Sequence, residues 1–331
     1  MMEHESKITF VRLRMESMMK KQILMKKIGL TACLCICMLF AEAQKKVSIT
    51  LDDVPNSLLS KRDGFHSRML HLIDSMKLPV AIFINEVRIF DVEEADESLN
   101  LLDEWIGSPN VIVGNHGYKH RMYSQEGIDS FKIDVLQGEA ISKPLARRYN
   151  KGESYYRFPY NDLGKDANEH KLAADYLATR GYTITPYTVH SDDWLVTQLY
   201  EYYRQQGRTK DAERIGQAFV DFTLKNFEYM ETLTDKKLGR NVSQIYLMHD
   251  NLLNRDYLDD LLVALKKKGY TFISLDEAMK DPVYQQPDYY DQHYGVSWVY
   301  RWIKDPQQRT QLMRGQPDSQ AFEKELAQVR K

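Results

Sequence analysis

Cysteine is almost absent: Cys33, Cys35 and Cys37 are the only three, and none follows in the long remainder of the chain. Once the N-terminal block that carries them is removed, disulfides, cysteine-ligated zinc and thiol catalysis are excluded. Long apolar runs are equally scarce. The one such block, residues 28–41 (IGLTACLCICMLFA), is too short for a comfortable membrane span. No internal repeat and no low-complexity linker occur, and neither charge dominates: the apolar share of 43% and charged share of 28% are those of a soluble globular protein. The net charge is −2, and residues 1–43 carry seven Lys and Arg against four Asp and Glu, so the remainder stands at −5. An acidic chain of this kind is a poor nucleic-acid binder.

The apolar block has the surroundings of an export signal. Lys20, Lys21, Lys26 and Lys27 precede it, and Ala41-Glu42-Ala43 follow it. A basic region, a short apolar region and an A-x-A ending describe a secretory signal peptide over residues 1–43, cleaved after Ala43. The polar residues before Met18 read as an over-extended start, since Met18, Met19 or Met25 would each open a more ordinary leader. Leu30-Thr31-Ala32-Cys33 resembles a lipobox, but most of the apolar run lies after Cys33, so lipid anchoring there is the weaker reading. The expectation is a periplasmic or extracellular protein with no membrane span in its mature chain.

The rest is organised around residues 47–56, VSITLDDVPN, a β-branched run that ends on Asp52 and Asp53. Adjacent carboxylates repel, so a fold keeps both near a cleft mainly when a metal or an arginine offsets them. Taken alone, the pair would be an Asx-rich turn.

Downstream, strands and helices alternate. The patterns predict a helix over 65–76, a strand over 80–84, a helix over 95–106, a strand over 111–113, helical sequence over 128–149 interrupted at Lys143-Pro144, and a strand over 155–158. A helix over 167–180 capped by Gly181, a strand over 182–189, helical sequence over 195–238, a strand over 245–248, a helix over 256–268, a strand over 271–275 and a helix start over 275–279 follow. Such alternation predicts parallel βαβ units, closed into a barrel or a doubly wound sheet. Residues 195–240 read as a helical insertion walling one side of the cleft. Residues 281–331 read as an extension packed on a main domain over 44–280, with Tyr289, Tyr290, Tyr294, Trp298 and Trp302 fixing it in place more than stacking on sugars.

Each unusual polar cluster falls at a strand end: Asp52 and Asp53, His116 and His120, Arg157 and Tyr160, Asp193 and Trp194, His249 and Asp250. In (β/α) barrels that rim is where chemistry is assembled. His116 and His120 are four apart, so one turn or a tight loop can aim both imidazoles at one point. A carboxylate from another strand end would complete a His, His, Asp set with an open position, the arrangement of catalytic zinc. His66 and His71 are five apart, which does not align them on a helix, and read as surface or satisfied helix histidines; His170 and His293 show no partner pattern and read as surface groups.

These motifs carry a family resemblance. TLDD (50–53), HGYKH (116–120), RFPY (157–160), DDW (192–194) and LMH (247–249) resemble, in order and rough spacing, the five motifs of the polysaccharide deacetylases, the NodB-like carbohydrate esterases, over about residues 46–280. The resemblance implies an α/β fold, a distorted (β/α) barrel, and a site in which Asp53, His116 and His120 bind a divalent metal. Zinc is expected first, and cobalt or nickel suits the same donors. It also implies that Asp52 is the general base, that Arg157 orients it and keeps it ionised, and that the backbone N–H of Tyr160 helps hold the oxyanion. His249 would be the general acid, supported by Asp193 with Asp192 as its rival, and Leu247 and Trp194 would shape the pocket for the acetyl methyl.

Three departures stand out. Gly117 replaces the Ser or Thr usual after the first metal histidine, which removes a loop-bracing hydroxyl; Leu51 replaces an aromatic; and His190 stands where many members carry an acid. The expectation is an exported metal-dependent hydrolase removing N-acetyl groups from an amino-sugar polysaccharide or oligosaccharide. Its alternatives are an O-acetyl esterase on acetylated glycan and an inactive carbohydrate-binding relative.

Overall fold

The β-branched run forms β1, Lys45–Val54, at the start of the residues that the computed structural model describes, 44–330. The expected leader, its cleavage point and Cys33 lie outside the described residues. From Lys45 onward the chain is one compact unit, and no described helix is long and apolar enough to cross a membrane.

Side chains alternate along β1. Val47, Ile49 and Leu51 join the large apolar core, while Ser48, Thr50 and Asp52 are buried polar groups on the other face. β2 (Val80–Ile84), β3 (Val111–Asn115), β4 (Glu153–Tyr156) and β5 (Thr183–Ile184) extend the sheet on one side; β7 (Gln244–His249) and β6 (Val189–His190) extend it on the other. Every ladder is parallel. β8, Tyr270–Phe272, pairs with the first residues of β1. Because Val47 pairs with both β7 and β8, β8 must take the edge of β1 that β2 uses further along. The result is a curled parallel half-barrel with helices outside, as the barrel reading anticipates. Ala81, Phe83 and Ile245 form a small separate core with Leu275 and Ala278.

The register brings the strand ends to one rim. Asp52 pairs with His249, Ile84 with Asn115, and Asn115 with Tyr156.

Two expected elements are interrupted, and the strand expected over 155–158 lies two residues earlier, at Glu153–Tyr156. The strand over 182–189 is broken into β5 and β6, because Pro186 sits between them and has no N–H to give a ladder. The helical stretch 128–149 breaks at Gly138, between helices Tyr123–Gln137 and Ser142–Arg148. Pro144 lies in the first turn of the second, where a missing N–H costs nothing.

The stretch 195–238 is two helices, Asp193–Gln205 and Thr209–Leu238, which form the crossover from β6 to its parallel neighbour β7. Only the first reaches the cleft, through Trp194 and Thr197. The second packs on the first instead, so it does not wall the cleft. In the C-terminal stretch, the buried Arg301 guanidinium lies over the rings of Tyr290 and Trp298, and Trp302 meets Tyr284 edge-on. Tyr294 stays exposed.

Candidate active site

Adjacent residues of a strand point to opposite faces, yet Asp52 and Asp53 both line one cleft. The backbone explains this. The β1–β2 register slips between Leu51 and Val54, and Asp53 has a φ of 66°. A bulge of this kind re-aims a side chain that an ideal strand would turn away.

Asp53 Oδ1 lies 3.5 Å from His120 Nε2 and 4.0 Å from His116 Nε2. Donor atoms of the three residues lie within 4.8 Å of one another. The orientation of His116 is fixed: its Nδ1 is 2.7 Å from the Arg157 carbonyl, which can only accept, so Nδ1 carries a proton and Nε2 is the nitrogen turned to Asp53. Burial pushes the His120 imidazole down to about 4, against the pull of Asp53, which leaves it neutral. Burial would raise the Asp53 carboxyl, but Arg88, then His120 and the other histidines, hold it well below the usual carboxylate range.

One oxygen tests whether a metal suits this set. Asp53 Oδ2 accepts from Arg88 Nη2 at 2.7 Å, whereas Oδ1 is buried without a hydrogen-bond partner. Such an orphan is costly unless something fills its place. Two imidazoles and a carboxylate oxygen, all facing one point, are the donors that a divalent cation takes.

Asp52 is held from the other side. Its Oδ1 accepts from Arg157 Nη1 at 2.8 Å, and its Oδ2 lies 3.7 Å from His116 Nε2. Arg157 is fully buried; it also donates to Thr50 Oγ1 at 2.7 Å and the Pro186 carbonyl at 3.1 Å, and lies over the Phe83 ring at 4.3 Å.

Across the cleft, His249 Nδ1 donates to Asp193 Oδ1 at 2.8 Å, leaving Nε2 for substrate. Burial disfavours its charged form, but Asp193, with Asp53 and Asp52, raises it to about 9. The second oxygen of Asp193 accepts from the His249 N–H at 2.8 Å, from Asn251 at 3.0 Å and from Asn254. Asp192 is paired elsewhere, with His190 Nδ1 at 3.1 Å. Of the two acids, Asp193 is thus the one in contact with His249, and His190 has its own carboxylate.

Tyr160 and Asn161 both have positive φ, 58° and 52°. The Tyr160 ring meets His120 edge-on at 4.5 Å and is 51% exposed. Leu247 and Trp194 line the same cleft, of 540 Å³; Leu247 is buried, and Trp194, 55% exposed, forms part of its rim.

Gly117 leaves the loop between His116 and His120 braced by another route. The Asp134 carboxylate accepts from Tyr118 N at 3.0 Å and Lys119 N at 2.9 Å, Asn85 donates to the His116 carbonyl at 2.6 Å, and Asn115 accepts from Gly117 N at 2.7 Å. A Cβ at position 117 would sit 2.2 Å from Asp134 Oδ2, and φ is 72° there, so glycine makes room for the carboxylate that ties the loop.

Sequence reasoning missed Arg88. It follows β2, a strand end to which no polar cluster was assigned, and a lone arginine gives no spacing signal. Asp250, noted but given no role, is buried in the same cleft; burial raises it to about 6, although it accepts from Asn56 N at 2.9 Å. A larger groove of 1170 Å³ along the helices Arg68–Ser75 and Leu252–Lys267 holds none of these residues. Charged groups there pair with one another, as Arg204 and Arg255 do with Asp256 at 3.2 and 2.9 Å.

Comparison with known proteins adds three findings. Residues 41–179 match the family model described as "Polysaccharide deacetylase", a segment that holds Asp52, Asp53, His116, His120, Arg157 and Tyr160. No curated protein matches the chain. Among solved structures, a mutant of a CE4 family pseudoenzyme with restored enzymatic activity is 16% identical with a TM-score of 0.50, over 72% of this chain and 69% of that one. The wild-type pseudoenzyme, from Bacillus anthracis, is 15% identical with a TM-score of 0.49, over 72% and 66%. A peptidoglycan deacetylase from Bacillus subtilis is 18% identical with a TM-score of 0.45, over 72% and 93%. The first likeness shows a shared fold, and the segment that matches the polysaccharide deacetylase model, residues 41–179, carries the acid pair, both histidines and the arginine.

Proposed function

We propose that the protein is an exported, metal-dependent hydrolase that removes N-acetyl groups from an amino-sugar glycan. The observation that carries this reading is the unpartnered Asp53 Oδ1 facing two imidazole nitrogens, with an oxygen of Asp52 beside them. Asp53, His116 and His120 would hold the ion, zinc being the first expectation. A divalent cation supplies there an acidified water and a polarised acyl oxygen.

The chain's own residues do the rest. Asp52 Oδ2 takes the proton of the attacking water, while Arg157 on Oδ1 keeps the carboxylate aimed. The Tyr160 N–H donates to the developing oxyanion. An amine is a poor leaving group, and the His249 imidazolium, held charged by Asp193, gives it the proton it needs. Leu247 closes the pocket around the acetyl methyl, and the open indole of Trp194 at the rim offers a sugar ring a flat face.

Acetate release across acetylated glycans tests this reading. Release from N-acetylated oligosaccharides with added zinc is expected; release only from acetylxylan would move the chemistry to esters, and none at all would point to a binding protein. The pH profile gives a second check. His249 must be protonated to act, so kcat should fall as pH rises toward 9, and a bound cation pulls that limb lower. By the same sign, the stability contributed by the His249 charge is fully present below about 6.5, the ordinary histidine value, and is lost as pH rises through about 9. A rate that stays flat to about pH 10, beyond the folded-state value of the imidazole, would remove His249 as the acid.

A further inference from the structure

The sheet is interrupted between β5 and β6, and the C-terminal stretch fills that gap. The Tyr187 carbonyl accepts from Trp298 N at 2.9 Å, and the Thr188 carbonyl accepts from Ser297 Oγ at 2.7 Å. Arg301, fully buried, clamps the approach to this segment: it donates to Asp288 Oδ2 at 2.6 Å and to the Tyr290 carbonyl at 3.1 Å, and its own carbonyl accepts from Tyr289 N at 2.8 Å. Held in this way, Gly295 comes to line the catalytic cleft.

What Gly295 touches there is the backbone of the oxyanion residue. A Cβ on Gly295 would lie 2.2 Å from the Tyr160 carbonyl oxygen and 2.8 Å from Asn161 Cβ. Carbon and oxygen do not approach so closely, and a backbone carbonyl cannot swing aside as a side-chain end can. The peptide it presses on is already unusual: Tyr160 and Asn161 are consecutive left-handed residues, a conformation that persists only where the surroundings impose it. The geometry points to Gly295 as a positioning residue for the reaction, the stop against which the C-terminal stretch holds the Tyr160 turn so that its N–H stays aimed into the cleft. This rests on the deacetylase reading for its consequence in turnover, though not for its structural content. Since the carbonyl and N–H of Tyr160 flank one Cα, a displacement of the first carries the second with it.

The test is Gly295→Ala in the full chain, with two readouts. On the glycan that wild type deacetylates best, kcat should drop about 10²-fold, the effect of misplacing an oxyanion donor by about an ångström. KM and bound zinc should stay close to wild type, and the protein should stay folded with its Tm lowered by the crowding by a few degrees. Independently of turnover, the Tyr160 amide resonance in selectively ¹⁵N-tyrosine-labelled protein, assigned with Tyr160→Phe, should shift in Gly295→Ala. A kcat within about threefold of wild type together with an unmoved amide overturns the inference. So does a loss of rate that merely follows lost zinc or lost folding, which would make the contact structural only. If wild type releases no acetate from any glycan, the deacetylase reading fails, and the amide resonance still decides whether Gly295 sets the Tyr160 turn.

Discussion

Asp52→Asn lowers kcat by about 10²–10⁴-fold, the worth of a positioned general base, while zinc stays bound. The substitution is chosen for what it leaves intact. The carboxamide oxygen it introduces can still accept from Arg157, and Arg157 retains Thr50 Oγ1, the Pro186 carbonyl and the Phe83 face. Removing the arginine instead would strand a buried carboxylate, and breaking such a pair costs about 3–5 kcal/mol, so lost activity could mean lost folding. Kinetics and metal content measured on the same Asp52→Asn sample separate the two roles of the adjacent acids. An active variant would refute the base, and a variant without metal would mean that Asp52, rather than Asp53, is the ligand.

His120→Ala acts on the other half of the site. Losing a mere outer-shell partner weakens metal binding by about 10–100-fold, so losing one of three ligands should exceed that and take turnover with it. His120 is partly exposed on the loop that Asp134 and Asn115 brace, so the fold should survive. Competition with a chelator of known affinity measures the change. Unchanged zinc affinity would mean that the donor set is wrong.

Much of this site is legible in the sequence because parallel βαβ units bring strand ends to one rim, so residues far apart in the chain can be assigned to one place before any coordinates. The His116 and His120 spacing, the acid pair and the buried arginine follow from that rule together with the family motifs. What stays hidden depends on the third dimension. A period-two reading of β1 puts Asp52 and Asp53 on opposite faces, and only the bulge at Asp53, φ 66°, reconciles both with one cleft. Arg88 has no partner within its own segment that would tie it to the site, so nothing in the sequence links it to Asp53. Gly117 reads as a lost brace until Asp134, on a helix that follows the loop, is seen to supply one. The choice between Asp192 and Asp193 is likewise invisible in the dipeptide, since it turns on which carboxylate the helix start aims at His249.

Zinc uptake by metal-free wild type and by an Asp53→Ala, His116→Ala, His120→Ala variant, read by titration and X-ray absorption, is the most direct measurement. One equivalent bound with two imidazoles in the coordination shell of the wild type, and none in the triple variant, is the expected result. Equal uptake by both proteins, or a shell without histidine, would contradict a catalytic centre built from these three residues.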